Sequence, residues 1–228
     1  MELNIDPNFS VFEIARRVRS ETTVLNHRRT MNIVSYEIEN VTLHGEARNR
    51  IFAGFQRMSR FLPQMERYRK MAARAESVYV FGVPDVEVPA IENITYIPLA
   101  STDQLAREWF LVSLGGNYAS ALVTEEKTHI DDRDSDRLFR GIWSHDYDLV
   151  LILEEWLRNS INVDVLMEAT LGIFYKERSL SIVRNTIEKF EARMEKKLRL
   201  PEDMTVRQEL DALMRTMLKP YVFQHSAN

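Results

Sequence analysis

Hydrophobic positions recur along this chain at two different spacings, and the changes between them divide it into three stretches. The first is helical. In FSVFEIARRVRS, Phe9, Val11, Phe12 and Ala15 fall on one side of a helical wheel and Arg16, Arg17 and Arg19 on the other, which predicts a short amphipathic helix. The run MNIVSYEIENVTL, residues 31–43, predicts a second, with Thr30 as its N-cap and Gly45 as its stop. A third is expected from about residue 59 to 75, where Phe61, Leu62, Met65, Tyr68 and Met71 recur at helical spacing. Pro63 falls in its first turn, where a missing N–H costs little.

From residue 77 the period shortens. SVYVFG (77–82) and NITYIPL (93–99) predict two buried strands. EWFLVSL and YASALVTEE flank Gly115-Gly116-Asn117, a hairpin signal because glycine supplies the positive φ of a tight turn. LFRGIWS (138–144) predicts a fifth strand. YDLVLILEEWLRN then predicts a helix with Leu149, Ile152, Leu153, Trp156 and Leu157 inward. Together these predict an α/β or α+β domain over residues 1–160, a mixed sheet of about five strands with helices packed on it.

Beyond Ile161 no strand signal remains. Leu180, Val183, Ile187, Phe190, Met194 and Leu198 follow one another at steps of three and four, and Val206, Leu210, Leu213 and Met217 resume the pattern after Pro201. Runs this short do not support a long coiled coil. They predict a C-terminal helical extension, residues 161–228, that packs on the domain or on a second protomer. Phe174, Leu180, Val183, Ile187, Phe190 and Met194 are its candidate interface.

Composition narrows the chemistry. The 228 residues contain no cysteine, which excludes disulfides, cysteine-bound zinc, iron–sulfur clusters, a thiol nucleophile and a thioether-linked chromophore. The N-terminus lacks the apolar core of a signal peptide, and LVLIL (149–153) is far short of the ~20 residues of a membrane span. A cytoplasmic protein is expected, with no membrane contact. A pI near 5.8 argues against a nucleic-acid partner. The net charge of −4 is uneven: residues 1–75 hold 13 Lys and Arg against 8 Asp and Glu, and residues 76–160 hold 6 against 16. The two can meet within one chain or between two.

The stretch RGIWSHDYDLV contains Ser144, His145 and Asp146, the residue types of a hydrolase triad. Alternation on a strand sends Ser144 and Asp146 one way and His145 the other, so the three do not converge. Capping of the following helix by Asp146 or Ser144 is the simpler expectation. Asp132, Asp134 and Asp136 have the spacing of a calcium loop, but Arg137 replaces the glycine and Trp143 the closing glutamate. A solvated loop is expected, and no metal site. No phosphate-binding glycine motif and no H-E-x-x-H occurs.

In order along the chain, NHRRTMNIVSYEIE, RIFAGFQ, VYVFGVPD, YIPL, EWFLV, ALVTEE and RLFRGIWSHD together resemble the DICT domain, of a type frequent in cyanobacteria, over residues 9–160. The family-like positions are Arg50, Phe52, Gly54, Phe55, Phe81, Gly82, Asp85, Glu108, Trp109, Phe110, Glu125, Phe139, Gly141, Trp143 and Asp146. His145 stands where the family carries an aromatic residue. The resemblance implies a sensory module of diguanylate cyclase and two-component pathways, with a role in light responses. It supplies no ligand. The candidate ligand-binding residues on this chain are Arg50, Asp85, Glu108, Trp109, Glu125, Trp143 and His145. No catalytic residue is assigned and the cofactor is unknown, any pigment being non-covalent.

With neither a G-G-D-E-F string nor a kinase motif, a non-enzymatic sensor must signal by association. A homodimer, or docking of a signalling protein on the C-terminal helices, is the expectation. The alternative is a small-molecule-binding protein or enzyme with a pocket near Glu108, Glu125 and His145.

Overall fold

The computed structural model describes residues 5–18, 24–161, 188–190, 192 and 201–222. Seven strands form one mixed sheet: β1 (Val24–His27), β2 (Arg50–Arg57), β3 (Ser77–Val83), β4 (Ile94–Pro98), β5 (Glu108–Gly115), β6 (Tyr118–Glu126) and β7 (Leu138–Ser144). Their order is β1-β7-β6-β5-β2-β3-β4. β2, β3 and β4 run parallel, and every other neighbouring pair is antiparallel. The fold is mixed α/β.

All five expected strands are present, and the count of about five is corrected to seven. The two additional strands lack the signals that mark the others. β1 has only four residues, two of them polar, at an edge of the sheet. β2 is central and buried on both faces, so it shows no alternation. A β-bulge between Gly54 and Arg57 further breaks its pattern.

The described residues include six α-helices: α1 (Val11–Val18), α2 (Arg28–Leu43), α3 (Met58–Phe61), α4 (Met65–Ala72), α5 (Tyr147–Ser160) and α6 (Pro201–Val222). α2 begins three residues before its expected start, so Thr30 lies inside it and not at its cap. It ends as expected at Gly45, whose φ of +73° suits a left-handed turn. The single helix expected from 59 to 75 is divided into α3 and α4 by a 3-10 turn over Leu62–Gln64, with Pro63 in that turn. The hairpin is present, with Gly115 paired to Tyr118. Its glycine answers a different need: a Cβ on Gly115 would lie 2.8 Å from the Arg48 carbonyl oxygen.

The alternation of β5, β6 and β7 sorts the core into two layers. Leu111, Leu122, Phe139 and Trp143 face α2, α3, α4 and α6. Phe110, Val112, Val123 and Ile142 face α1 and α5. In α6, Val206, Leu210, Leu213 and Met217 are buried in the first layer, as is Phe190. The inner stripe of α5 is rotated from the expected one. Glu154 is buried and Trp156 is exposed, because Glu154 receives Arg50 and Trp156 stacks over Phe9 at the surface.

Candidate functional site

A cluster of charged groups gathers at one end of the sheet. Strand directions bring the carboxyl ends of β1, β2, β3, β4 and β6 to that end, together with the starts of β5 and β7. The loop 127–137 crosses it as a strap. Asp134 receives Arg28 at 2.6 Å and Arg60 at 2.9 Å, and Asp131 receives Arg57 at 2.7 Å. The basic front and the acidic middle therefore meet within one chain. These aspartates are ion-pair partners, and the described residues contain no group of three or more His, Asp or Glu able to hold a metal ion.

Beneath the strap lies a buried network that the sequence did not single out. Arg137 donates from Nε to Glu126 Oε1 at 2.7 Å and from a terminal nitrogen to Glu126 Oε2 at 2.8 Å. The same nitrogen reaches Gln56 Oε1 at 2.5 Å, and Gln56 Nε2 donates to Glu126 Oε2 at 2.8 Å. Arg137 and Glu126 are 1% and 3% exposed, so the pair is tolerable only because the fork and amide satisfy both carboxylate oxygens. Gln56 sits at φ +65°, a left-handed conformation that costs a non-glycine residue about 1 kcal/mol or more and tends to mark functional positions. No local sequence signal pairs Gln56 with residues 70 and 81 positions away; only the bulge and the sheet register do so.

Two clefts open at this end. The first, of about 350 Å³, has Arg57, Arg107 and His129 around it, with Val83, Ala106 and Ile130 as its apolar wall. Glu126 and Thr128 lie at its base and Ser101 at its edge. The second, of about 430 Å³, lies over α1, where Phe9 and Trp156 form one side and Asp6, Glu13 and Glu125 give it an acidic character.

The sequence candidates separate into distinct roles. Glu108 is fully buried and caps α1: Oε2 accepts the Val11 N–H at 3.0 Å and the Phe12 N–H at 3.1 Å, and Oε1 accepts the Ser10 hydroxyl at 2.5 Å. Burial pushes its pKa up to about 7, against the opposing hydrogen bonds from Ser10, Phe12, Gln104 and Val11. Its cross-strand partner Glu125 pairs with Lys127 and Arg140 and lines the acidic cleft. Arg50, at the opposite end of β2, donates to buried Glu154 at 2.8 Å. Asp85 accepts the N–H and hydroxyl of Ser59 at 2.9 and 2.6 Å, at the start of α3. Trp109 donates from Nε1 to Ser35 and lies under Arg28.

His145 lies on the other face of the sheet from Glu108 and Glu125. It contacts the Ala119 carbonyl at 2.9 Å through Nδ1 and packs against Tyr118 and Trp143. Burial lowers its pKa to about 4, opposed by the hydrogen bond to Ala119. The imidazole is thus neutral at pH 7 and fills an aromatic position. Trp143 is core, its Nε1 donating to Ser120. The expectation of one pocket shared by Glu108, Glu125 and His145 is corrected: alternation in the sheet sends His145 to the opposite layer. Asp146 is the cap of α5, its side chain accepting the Leu149 N–H at 2.9 Å. Of the candidate interface, Phe190 is buried against Trp143; Phe174, Leu180, Val183, Ile187 and Met194 lie outside the described residues.

Besides its buried apolar stripe, α6 makes a polar contact with the start of α2. Glu209 Oε2 accepts the His27 N–H at 3.0 Å and the Thr30 hydroxyl, and Oε1 lies 2.6 Å from His27 Nδ1. The start of α2, which has no side-chain cap of its own, is closed by a residue from α6.

The model of the DICT family, the sensory domain in diguanylate cyclases and two-component systems, matches residues 9–127, more than half of the chain, and the chain belongs to that family. The match ends before Phe139, Gly141, Trp143 and Asp146. No curated protein and no solved structure matched the chain.

Proposed function

We propose that this chain is a non-enzymatic sensory module whose output is association: it forms a homodimer, or docks a signalling partner, through its C-terminal helices. The pathway would be a light-responsive or two-component one in the cytoplasm, and any pigment would be held non-covalently. Family membership supports the sensory half of this reading. The observation that carries the output half is the Glu209 latch. A helix beyond the family match packs its apolar side in the first core layer and closes the start of α2 with one carboxylate. A polar contact of this kind couples the seating of that helix to small changes around α2.

Sedimentation of the full-length chain tests the proposal. A dimer is expected, and replacing Val183 and Ile187 of the near-heptad stripe by glutamate should return a monomer. A wild-type chain that sediments as a monomer at every concentration, and retains no partner, overturns it.

A further inference from the structure

We propose that the cleft between the ends of β2, β3 and β6 is the input site of the module, and that it takes a small organic anion bearing a phosphate or carboxylate group. This deepens the sensory reading above and rests on it. The cleft is of ligand size, about 350 Å³. It lies outside the carboxyl ends of parallel strands, next to the point where the chain leaves the parallel β2-β3-β4 group to return along β5, where ligands of open α/β sheets gather.

The polarity follows from which groups are already committed. Both oxygens of Glu126 are taken by Arg137 and Gln56, and the Thr128 hydroxyl donates to Glu126 Oε1 while accepting the Leu138 N–H. Neither offers the cleft an acceptor. Among the described residues Arg107 makes no ion pair or hydrogen bond, and neither does the Ser101 hydroxyl. His129 Nδ1 accepts the Asp131 N–H at 3.3 Å, which leaves the Nε2–H as a donor. The uncommitted groups are therefore a permanent cation, an imidazole N–H and a hydroxyl able to donate, and they match an anion's oxygens. Val83, Ala106 and Ile130 give the organic part of such a ligand an apolar wall.

Occupancy would reach the output. Arg57 lines the cleft and holds Asp131 of the strap. A bound anion competes with Asp131 for that guanidinium and loosens the strap at one end. At its other end the Arg137 carbonyl accepts the Arg28 N–H at 3.3 Å, adjoining His27, whose own N–H is held by Glu209. The path from cleft to α6 thus runs through the Arg57–Asp131 ion pair, the strap, the Arg28–Arg137 backbone hydrogen bond and the Glu209 carboxylate on His27.

Calorimetric titration of the full-length chain with inorganic phosphate, succinate and adenosine 5′-monophosphate, and with glucose as a neutral control, tests the site. At least one anion should bind and glucose should not; the first two probes separate phosphate from carboxylate recognition. Arg107→Ala, at an exposed position, should weaken binding by about tenfold or more, and Arg17→Ala in the acidic cleft should leave it unchanged. In hydrogen exchange, the bound anion should speed residues 127–137 and α6 together. Silence with all three anions, or binding indifferent to Arg107→Ala, overturns the site; binding without altered exchange overturns the relay. Sedimentation reads the association output separately, so the two proposals fail independently.

Discussion

Two glutamates perform the same local act in different parts of this molecule. Glu108, on β5, and Glu209, on α6, each accept a main-chain N–H at the start of a helix that lies far away in the chain. Glu108 is fully buried inside the segment matched by the family, and its partners Ser10, Val11 and Phe12 join α1 to the middle of the sheet. Glu209 is 9% exposed on a helix outside that segment, beside a His27 side chain that is 41% exposed. The first carboxylate is part of what makes the sheet domain one unit. The second joins α6, whose apolar residues pack in the first core layer, to the start of α2. The first carboxylate is sealed from solvent, whereas the second lies beside a partly exposed histidine.

Truncating both carboxylates should separate these roles. Glu108→Ala leaves a hydroxyl and two helix-terminal N–H groups buried without an acceptor, and a global loss of about 3 kcal/mol is expected in urea unfolding. A loss confined to α1 in hydrogen exchange would remove the contrast.

The pH dependence sharpens it. The folded pKa of Glu108, about 7, lies above the ordinary value of 4.5, so the native state holds its proton more tightly than the unfolded chain. Its contribution is fully present below pH 4.5 and is lost as pH rises through 7, a swing of roughly 3–4 kcal/mol. Glu108→Gln keeps the shape of the protonated cap and removes the titration. The stability difference, wild type minus variant, should fall between pH 5 and pH 8, and a flat difference would refute the assignment.

Glu209→Ala should cost less, about 1–2 kcal/mol, and its effect should be local. Amides of α6 should exchange about tenfold faster, while those of β5 and β6 keep their protection. Equal loss in both would mean that α6 is as integral as α1. The smallest effect is expected from Asp146→Ala, a cap within its own helix, at about 1 kcal/mol in the same unfolding measurement.

How much of this was legible in the sequence depends on the range of the interaction. Asp146 could be read because its partner is three residues away. The five signalled strands could be read because half-burial leaves alternation or an apolar run. β2 could not, since burial on both faces and a bulge erased the period, and β1 was too short to register. Glu108 and Glu125 were visible as strand-end carboxylates, but their separation from His145 came from face assignment. Arg107, Gln56 and Arg137 were not singled out, because nothing in their local surroundings distinguishes an uncommitted arginine from one that closes a buried network.

The sequence by itself determined the class of fold, most of the helices, the absence of thiol chemistry and the likeness to a sensory family. These follow from periodicity, composition and short motifs, which are properties of neighbouring residues. Only the tertiary structure decided which carboxylate caps which helix, that the basic front and acidic middle neutralise one another within the chain, and where uncommitted donors face a cleft. Those outcomes depend on strand order and register, which bring together groups about 100 or more positions apart. No local pattern encodes that pairing, because sheet order is settled by the burial of the whole chain at once.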